Sequence, residues 1–328
     1  PSIDINVLSA SPKVTAKRYG VNAISRNNFV EIIKLLKKTD LFLSGGGSLL
    51  QDVTSIRSVP YYLALVKLAS TLGNKTAFYA QGIGPINKSI SEKLIKWVAN
   101  DTNLITLRDI DSVKLLKKVG VKKELIELTV DPVYGLYENE TSEIDKEDLA
   151  FKVSNEEKIV AISLRPWEDN KYLKSVVKAV DYLHESKKVK IVILPMYLDQ
   201  DLEICKKLKE EIKAPSLLIE KEFTPAEMIS VFSNFDFFIG VRLHSLIFAA
   251  INEVPLVGIS YDPKVDSFLK DLNLESDLST NDCNYNKLKN IIDEFWIRKE
   301  EIKNLLGNEM RKKKLDALNN IQRVLQLI

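Results

Sequence analysis

Short apolar runs rich in β-branched residues alternate with amphipathic helical stretches along almost the whole chain, and that alternation leaves few folds open. Parallel strands buried on both faces read as near-continuous hydrophobic runs, each followed by a helix that covers the sheet. In the first half the strand candidates are Ile3–Leu8, Leu41–Ser44, Thr76–Tyr79, Leu104–Thr106 and Glu127–Thr129. Helical periodicity marks Asn28–Lys38, Tyr61–Leu72, Ser89–Ala99 and Asp111–Val119, with Asn28 and Ser89 or Ser91 as N-caps. Residues 137 to 158, charged and poor in apolar periodicity, read as an interdomain linker. Beyond them the alternation restarts, with strands at Ile159–Leu164, Val189–Leu194, Ser216–Glu220, Phe237–Gly240 and Leu256–Ser260. Helices are expected at Tyr172–His184, Asp199–Ile212, Pro225–Ser233 and Leu243–Asn252. From about Tyr285 the chain reads as mostly helical, with a break at Gly307.

A chain of 328 residues exceeds what one hydrophobic core usually supports. The expected organisation is an α/β protein of two Rossmann-like domains, residues 1–150 and 151–305, followed by a C-terminal helix over 306–328 that packs back on the first domain. Open α/β sheets bind ligands beyond the carboxyl ends of their strands, so two such sheets facing each other create a central cleft. Lys+Arg 47 against Asp+Glu 45 excludes a general nucleic-acid binder, so any functional basic feature is local. Cys205 and Cys283 lie far apart, and with only two histidines no metal cluster and no cofactor are expected. No apolar run approaches the roughly 20 residues that span a bilayer, and a cytoplasmic location is expected.

Five stretches carry candidate chemistry. Gly45, Gly46 and Gly47 follow a strand and read as leading toward a helix, where bare backbone N–H groups favour an anion. No Gly-Lys-Ser/Thr follows, and Leu50 stands where a third Rossmann glycine belongs, so neither nucleotide signature is present. The polar continuation Ser48, Gln51, Asp52, Thr54, Ser55, Arg57 and Ser58 exceeds the needs of a turn and suits sugar hydroxyls or one end of a donor, with Arg57 keeping an anion open. Gln81, Gly82 and Gly84 read as a second glycine loop one strand along the same edge. Arg108 follows a short buried strand, and Arg165 does the same in the second half; each either points its fork at an anion or, for Arg108, pairs with Asp109 or Asp111. Asp52, Asp131 and Asp262 are scattered and could hold substrate hydroxyls.

The sharpest stretch runs from Phe237 to Val265. A strand ends at Gly240, Arg242, Leu243, His244 and Ser245 open a helix, and a later strand delivers Tyr261, Asp262 and Lys264. His184 lies among lysines and Glu185 and reads as a surface residue, whereas His244 sits at a strand-to-helix turn beside cations. There the imidazole can act as a general base, or as an acid once an anionic substrate arrives. Arginine, lysine, histidine and glycine with few acids suit a small, multiply charged anion such as a phosphate or carboxylate.

The stretches SGGGSLLQDVTSIRSVPYYL, QGIGP, ITLRD, GVRLHSLIFAA and VGISYDPKV together resemble the polysaccharide pyruvyl transferase family, in detail its CsaB-like cell-wall branch. The likeness runs in order over about residues 3 to 275. It implies a GT-B-like pair of Rossmann-type domains and transfer of enolpyruvate from phosphoenolpyruvate, a co-substrate, to a lipid-linked saccharide acceptor. The implied acceptor sugar is β-D-N-acetylmannosamine of a secondary cell-wall polysaccharide precursor, and the product a 4,6-pyruvate ketal that anchors S-layer proteins. With a lipid-linked acceptor, peripheral contact at the inner face of the membrane is expected. With that resemblance, His244 is assigned as the general acid/base, Arg242 and Lys264 as clamps for phosphate or carboxylate, Arg108 as an anion contact from the other domain, and Arg165 as a lesser candidate of the same kind. Family members begin with a strand and a turn of the type Gly-Tyr-Tyr-Gly-x-x-Asn-x-Gly-Asp-Glu; this sequence starts at what corresponds to their second strand, so part of the donor or acceptor site is expected to be missing. Two rival readings remain: a GT-B glycosyltransferase placing Arg242 and Lys264 on a nucleotide-sugar diphosphate, and a non-catalytic polysaccharide- or anion-binding protein.

Overall fold

A computed structural model describes residues 3–52, 57–136 and 157–328; the linker reading at 137–158 lies outside them apart from Glu157 and Lys158, as do Thr54 and Ser55. Backbone contacts divide the chain into two α/β units, residues 1–132 with 316–328, and residues 133–315.

In the first unit, β1 (Asn6–Ser9) and β2 (Asn22–Ser25) form a parallel pair connected through α1 (Pro12–Tyr19). Helix α2 (Phe29–Leu36) begins at Asn28, whose side chain accepts from Glu31 N–H as the sequence predicts. Then follow β3 (Leu41–Ser44), β4 (Gly47–Leu50), α3 (Ser58–Thr71), β5 (Lys75–Ile83), α4 (Ser89–Ala99), β6 (Leu104–Leu107), α5 (Ile110–Val119) and β7 (Ile126–Leu128). The sheet order is β3-β5-β6-β7, all parallel, and β4 continues along the end of β5. Apolar faces of α3, α4 and α5 meet the sheet through Leu63, Val66, Ile95, Val98 and Leu116 against Phe78, Ile105 and Leu107.

Two expectations change here. The triple glycine does not lead into a helix: the chain breaks at Gly45 and Gly46 and resumes as β4, and α3 starts only at Ser58. Gly47 has φ +98°, a conformation that L side chains rarely adopt, so the break requires glycine there. Strand β5 also runs on through Gln81 and Gly82, which are therefore sheet residues and not a loop.

The second unit holds β8 (Ile159–Ser163), α6 (Leu173–Lys187), β9 (Lys190–Ile193), α7 (Leu198–Glu211), β10 (Ser216–Leu218), α8 (Pro225–Phe232), β11 (Phe237–Gly240), α9 (Leu243–Ile251) and β12 (Leu256–Gly258). Helices α10 (Pro263–Asp271) and α11 (Tyr285–Ile297) and the part of α12 (Lys299–Leu325) up to Leu315 complete it. The parallel sheet has the order β10-β9-β8-β11-β12, so the chain builds outward from β8 on one side and then on the other. A reversal of this kind opens a crevice beyond the carboxyl ends of the two central strands, β8 and β11.

Helix α12 passes through Gly307 without the expected break; the interruption falls at Arg298. A Cβ on Gly307 would stand 2.7 Å from Glu253 Oε1, so the glycine marks a close approach. From Asp316 the helix counts with the first unit, where Val324 and Leu327 pack with Ala77 and Leu104 and Arg323 pairs with Glu127 at 3.0 Å. No described helix is long and apolar enough to cross a membrane. His184 is half-buried, its Nδ1 2.9 Å from the Val189 carbonyl.

Candidate functional site

The crevice of the second unit gathers the residues of the Phe237–Val265 stretch. Arg242 is the N-cap of α9, with extended backbone, and His244 lies half-buried in the first turn of that helix. Lys264 lies in the first turn of α10, which starts at the end of the neighbouring strand β12. Leu246 of α9 and Leu269 of α10 both close on Gly258, so the two helices rise side by side from one sheet edge. Arg165 follows the central strand β8.

The cations differ sharply in their partners. Arg242 Nε and Nη2 bond Asp201 Oδ2 and Oδ1 at 2.7 and 2.6 Å, Nη2 also donates to Gln200 Oε1 at 2.9 Å, and the guanidinium lies 4.6 Å from the centre of the Tyr197 ring. Asp201 is fully buried and also accepts from Tyr197 N–H at 3.1 Å. Arg242 is thus committed to a carboxylate partner that the sequence reading does not foresee. A bidentate carboxylate compensates its charge and orients it, and among the described residues only Nη1 lacks a hydrogen-bond partner.

Arg165 is held differently. Its guanidinium lies 4.1 Å from the Tyr261 ring centre and 5.0 Å from that of Trp167, and those two rings are 4.9 Å apart. Its Nε is buried without a hydrogen-bond partner. Buried Tyr172 donates its hydroxyl to the Arg165 carbonyl, and the Trp167 N–H donates to Asn170 Oδ1 at 2.8 Å, so the segment carrying the arginine is tied down. Burial pushes the Tyr172 phenol well above its ordinary range, which keeps it a donor.

Two further expected ligand groups in this unit serve the backbone. Ser245 is fully buried, donates to the Arg242 carbonyl at 2.6 Å and sits under Gly240, so it shapes the turn. Asp262 caps α10 by accepting from Lys264 N–H at its Oδ1 at 2.8 Å.

In the first unit, Arg108 at the end of β6 pairs with Asp131, beyond the end of β7, and not with Asp109 or Asp111. Asp109 caps α5 through Ser112 N–H at 2.7 Å, and Asp111 pairs with Lys114. Arg108 Nη2 also reaches Ser48 Oγ at 3.2 Å. The guanidinium crosses β5 at Gly82, where a Cβ would stand 3.1 Å from Arg108 Nε and 3.2 Å from Ser48 Oγ, so a bare backbone makes room for the pair. Gln81 is buried, its Nε2 donating across the strand break to Ser44 Oγ at 2.7 Å and to the Gly45 carbonyl at 3.1 Å, while its Oε1 has no hydrogen-bond partner among the described residues. Gly46 packs against Pro132 and Gly84 against Leu115. Asp52 is also structural: it is buried and accepts from Asn87 and Lys88 N–H at 2.8 and 3.0 Å. Those two groups lead into α4, whose N-cap residue is Lys88 and not Ser89 or Ser91, with no side-chain cap bond. Gln51 remains half-buried and Arg57 exposed, on either side of residues 53–56.

The sequence reading misses Asp201, Tyr197 and Trp167 as parts of the site. Asp201 carries a legible signal: it lies on the same stripe of α7 as buried Ile204, Cys205 and Leu208, a core position where a carboxylate needs a partner. Among the described residues no three His, Cys, Asp or Glu side chains gather as a metal site.

Comparison with known proteins agrees with this architecture. Among solved structures, UDP-GlcNAc 2-epimerase from Methanocaldococcus jannaschii superposes with a TM-score of 0.66 at 14% identity, over 88% of this chain and 84% of that one. A glycosyltransferase from Rickettsia africae gives 0.65 at 12% identity over 99% and 90%, and HepE from Anabaena in complex with UDP and glucose gives 0.61 at 13% over 96% and 88%. Identities this low establish the shared GT-B-type α/β fold and nothing about substrate. No curated protein matches the sequence. The sequence model of the polysaccharide pyruvyl transferase family, by contrast, matches residues 1–263, which contain β1 through β12, Arg242 and His244. This chain is a member of the polysaccharide pyruvyl transferase family.

Proposed function

We propose that the protein transfers the enolpyruvyl group of phosphoenolpyruvate to a saccharide and closes it to a 4,6-pyruvate ketal, releasing phosphate. The observation that carries this reading is His244 in the first turn of α9, at the switch-point crevice of the second unit, with Arg165, Arg242 and Lys264 on the same sheet edge, in a chain of this family. The second unit takes the donor in this reading. The first unit, with Ser48, Gln51 and Arg108, takes the acceptor. The acceptor is β-D-N-acetylmannosamine of a lipid-linked cell-wall precursor, as in the CsaB-like branch, which places the enzyme at the inner face of the membrane.

The chemistry asks for one proton to move onto carbon and one leaving group to depart. Imidazolium of His244 delivers a proton to the methylene carbon of phosphoenolpyruvate, leaving a cationic carbon beside the carboxylate. A sugar hydroxyl attacks that carbon and its proton returns to His244. The bond from that carbon to the phosphate oxygen then breaks, with phosphate taking the electron pair. The second hydroxyl closes the ring, and its proton leaves with phosphate. Cations opposite the carboxylate and phosphate stabilise the charge that gathers on the departing group.

The test is phosphate release from phosphoenolpyruvate with an N-acetylmannosamine-terminated acceptor, run beside turnover of UDP-sugars. Release from phosphoenolpyruvate alone is the expected result, with His244→Ala lowering the rate by about 10²–10⁴-fold. Turnover of a UDP-sugar without any phosphate from phosphoenolpyruvate would overturn the assignment, and so would a His244→Ala rate equal to the parent's.

A further inference from the structure

The strongest candidate for the donor's anionic group is not the arginine that the sequence favours. Arg242 is bound edge-on by the buried carboxylate of Asp201, and Arg108 is paired with Asp131. Arg165 alone of these three arginines has no carboxylate partner among the described residues, and its side chain makes no hydrogen bond there. Aromatic rings hold it instead.

That difference has a chemical consequence. A ring attracts a guanidinium through its face and leaves the charge in place, whereas a carboxylate consumes the in-plane donors and cancels the charge. Stacked against Tyr261 and Trp167, Arg165 is fixed in position with its edge donors uncommitted. Burying Nε with no acceptor is costly, and native proteins resolve such groups with a partner, a water or a ligand. The place is also right, because β8 and β11 flank the reversal in strand order and Arg165 follows β8 directly. Ser163, the last residue of β8, pairs in register with Gly240 of β11 and carries a second buried, unpartnered polar atom, its Oγ. The segment Arg165–Tyr172 is anchored by the Tyr172 hydroxyl on the Arg165 carbonyl, so little ordering is left for a ligand to impose.

We infer that Arg165, stacked against Trp167 and Tyr261 at the end of β8, forms an anion subsite that takes a carboxylate or phosphate group of the donor. The inference rests on the reading that the second unit binds an anionic donor, and it deepens that reading by naming the residue that meets the charge. Arg242 is then a positioning residue at the root of α9.

The experiment is an equilibrium titration of the full chain followed by tryptophan emission, which Trp167 is placed to report. The probes are phosphoenolpyruvate, inorganic phosphate and UDP, and the steady-state constants for phosphoenolpyruvate are measured alongside. Arg165→Gln is expected to weaken binding of phosphoenolpyruvate by about ten- to a hundredfold and to raise KM by a similar factor, with kcat changed far less. Arg165→Lys keeps the charge without the fork and is expected to fall between the two, which covers the case of a poorly folding Gln variant. Trp167→Phe should silence the optical signal while calorimetric binding persists. Unchanged affinity in folded Arg165→Gln overturns the subsite, and so does a wild-type chain that binds none of the three probes. If wild type ignores phosphoenolpyruvate but binds phosphate or UDP in an Arg165-dependent way, the subsite stands and the donor assignment falls.

Discussion

At the scale of single residues, Asp52 carries a measurable electrostatic signature. Burial pushes its carboxyl pKa up, but the Asn87 and Lys88 N–H groups and the Ser91 hydroxyl outweigh burial and hold it below the ordinary aspartate value of 3.8. A group with a depressed folded pKa contributes stability that is present above its unfolded pKa and lost as pH falls through the folded one. Urea unfolding below about pH 4 should therefore show wild type losing stability more steeply than Asp52→Asn. At neutral pH the variant should be less stable by about 1–3 kcal/mol. Parallel acid slopes for the two proteins would contradict the clamp. Asp52, Gln81 and Ser245 all read in sequence as ligand residues because polar side chains beside glycines at strand ends suit ligands and bare backbone equally well. Their choice of backbone depends on where the next element lies. The same limit hides the partners of the arginines: Asp201 is 41 positions from Arg242, and Asp131 is 23 from Arg108. What local sequence does show is the cation at the strand end, which is why Arg108, Arg165 and Arg242 are all legible as candidates.

At the scale of elements, periodicity succeeds where a helix buries one face. It finds α2 to α9 and most strands within a few residues. It fails at α1, which buries no residue and so carries no apolar stripe to recognise. Strand β4 is missed because Gly47–Leu50 follows a glycine run that signals a turn, and only the length of β5 reveals that a second strand can pair along it. Gly307 misleads in the opposite direction, reading as a break inside a continuous helix. Glycine in a helix interior costs up to about 1 kcal/mol relative to alanine. The atom nearest a new Cβ is the end of the Glu253 side chain, which can swing aside. Gly307→Ala should therefore leave stability unchanged or raise it by up to about 1 kcal/mol in thermal or urea unfolding. A clear loss would show that the approach of Glu253 to α12 is fixed.

At the scale of the whole molecule, two parallel α/β units follow from the alternation of strands and helices, and the strand order of the second unit places its crevice between β8 and β11. Likeness to epimerases and glycosyltransferases extends to the fold, while the family match supports polysaccharide pyruvylation in general. In the proposed reaction the three pyruvyl carbons of phosphoenolpyruvate end on the saccharide. The most direct measurement follows carbon-labelled phosphoenolpyruvate into an N-acetylmannosamine-terminated acceptor by mass spectrometry and NMR. The expected product is heavier by pyruvic acid less one water, with the label in a ketal carbon and one phosphate released per ketal formed. Label that never enters the saccharide, while the same protein transfers a sugar from a nucleotide donor, would contradict it.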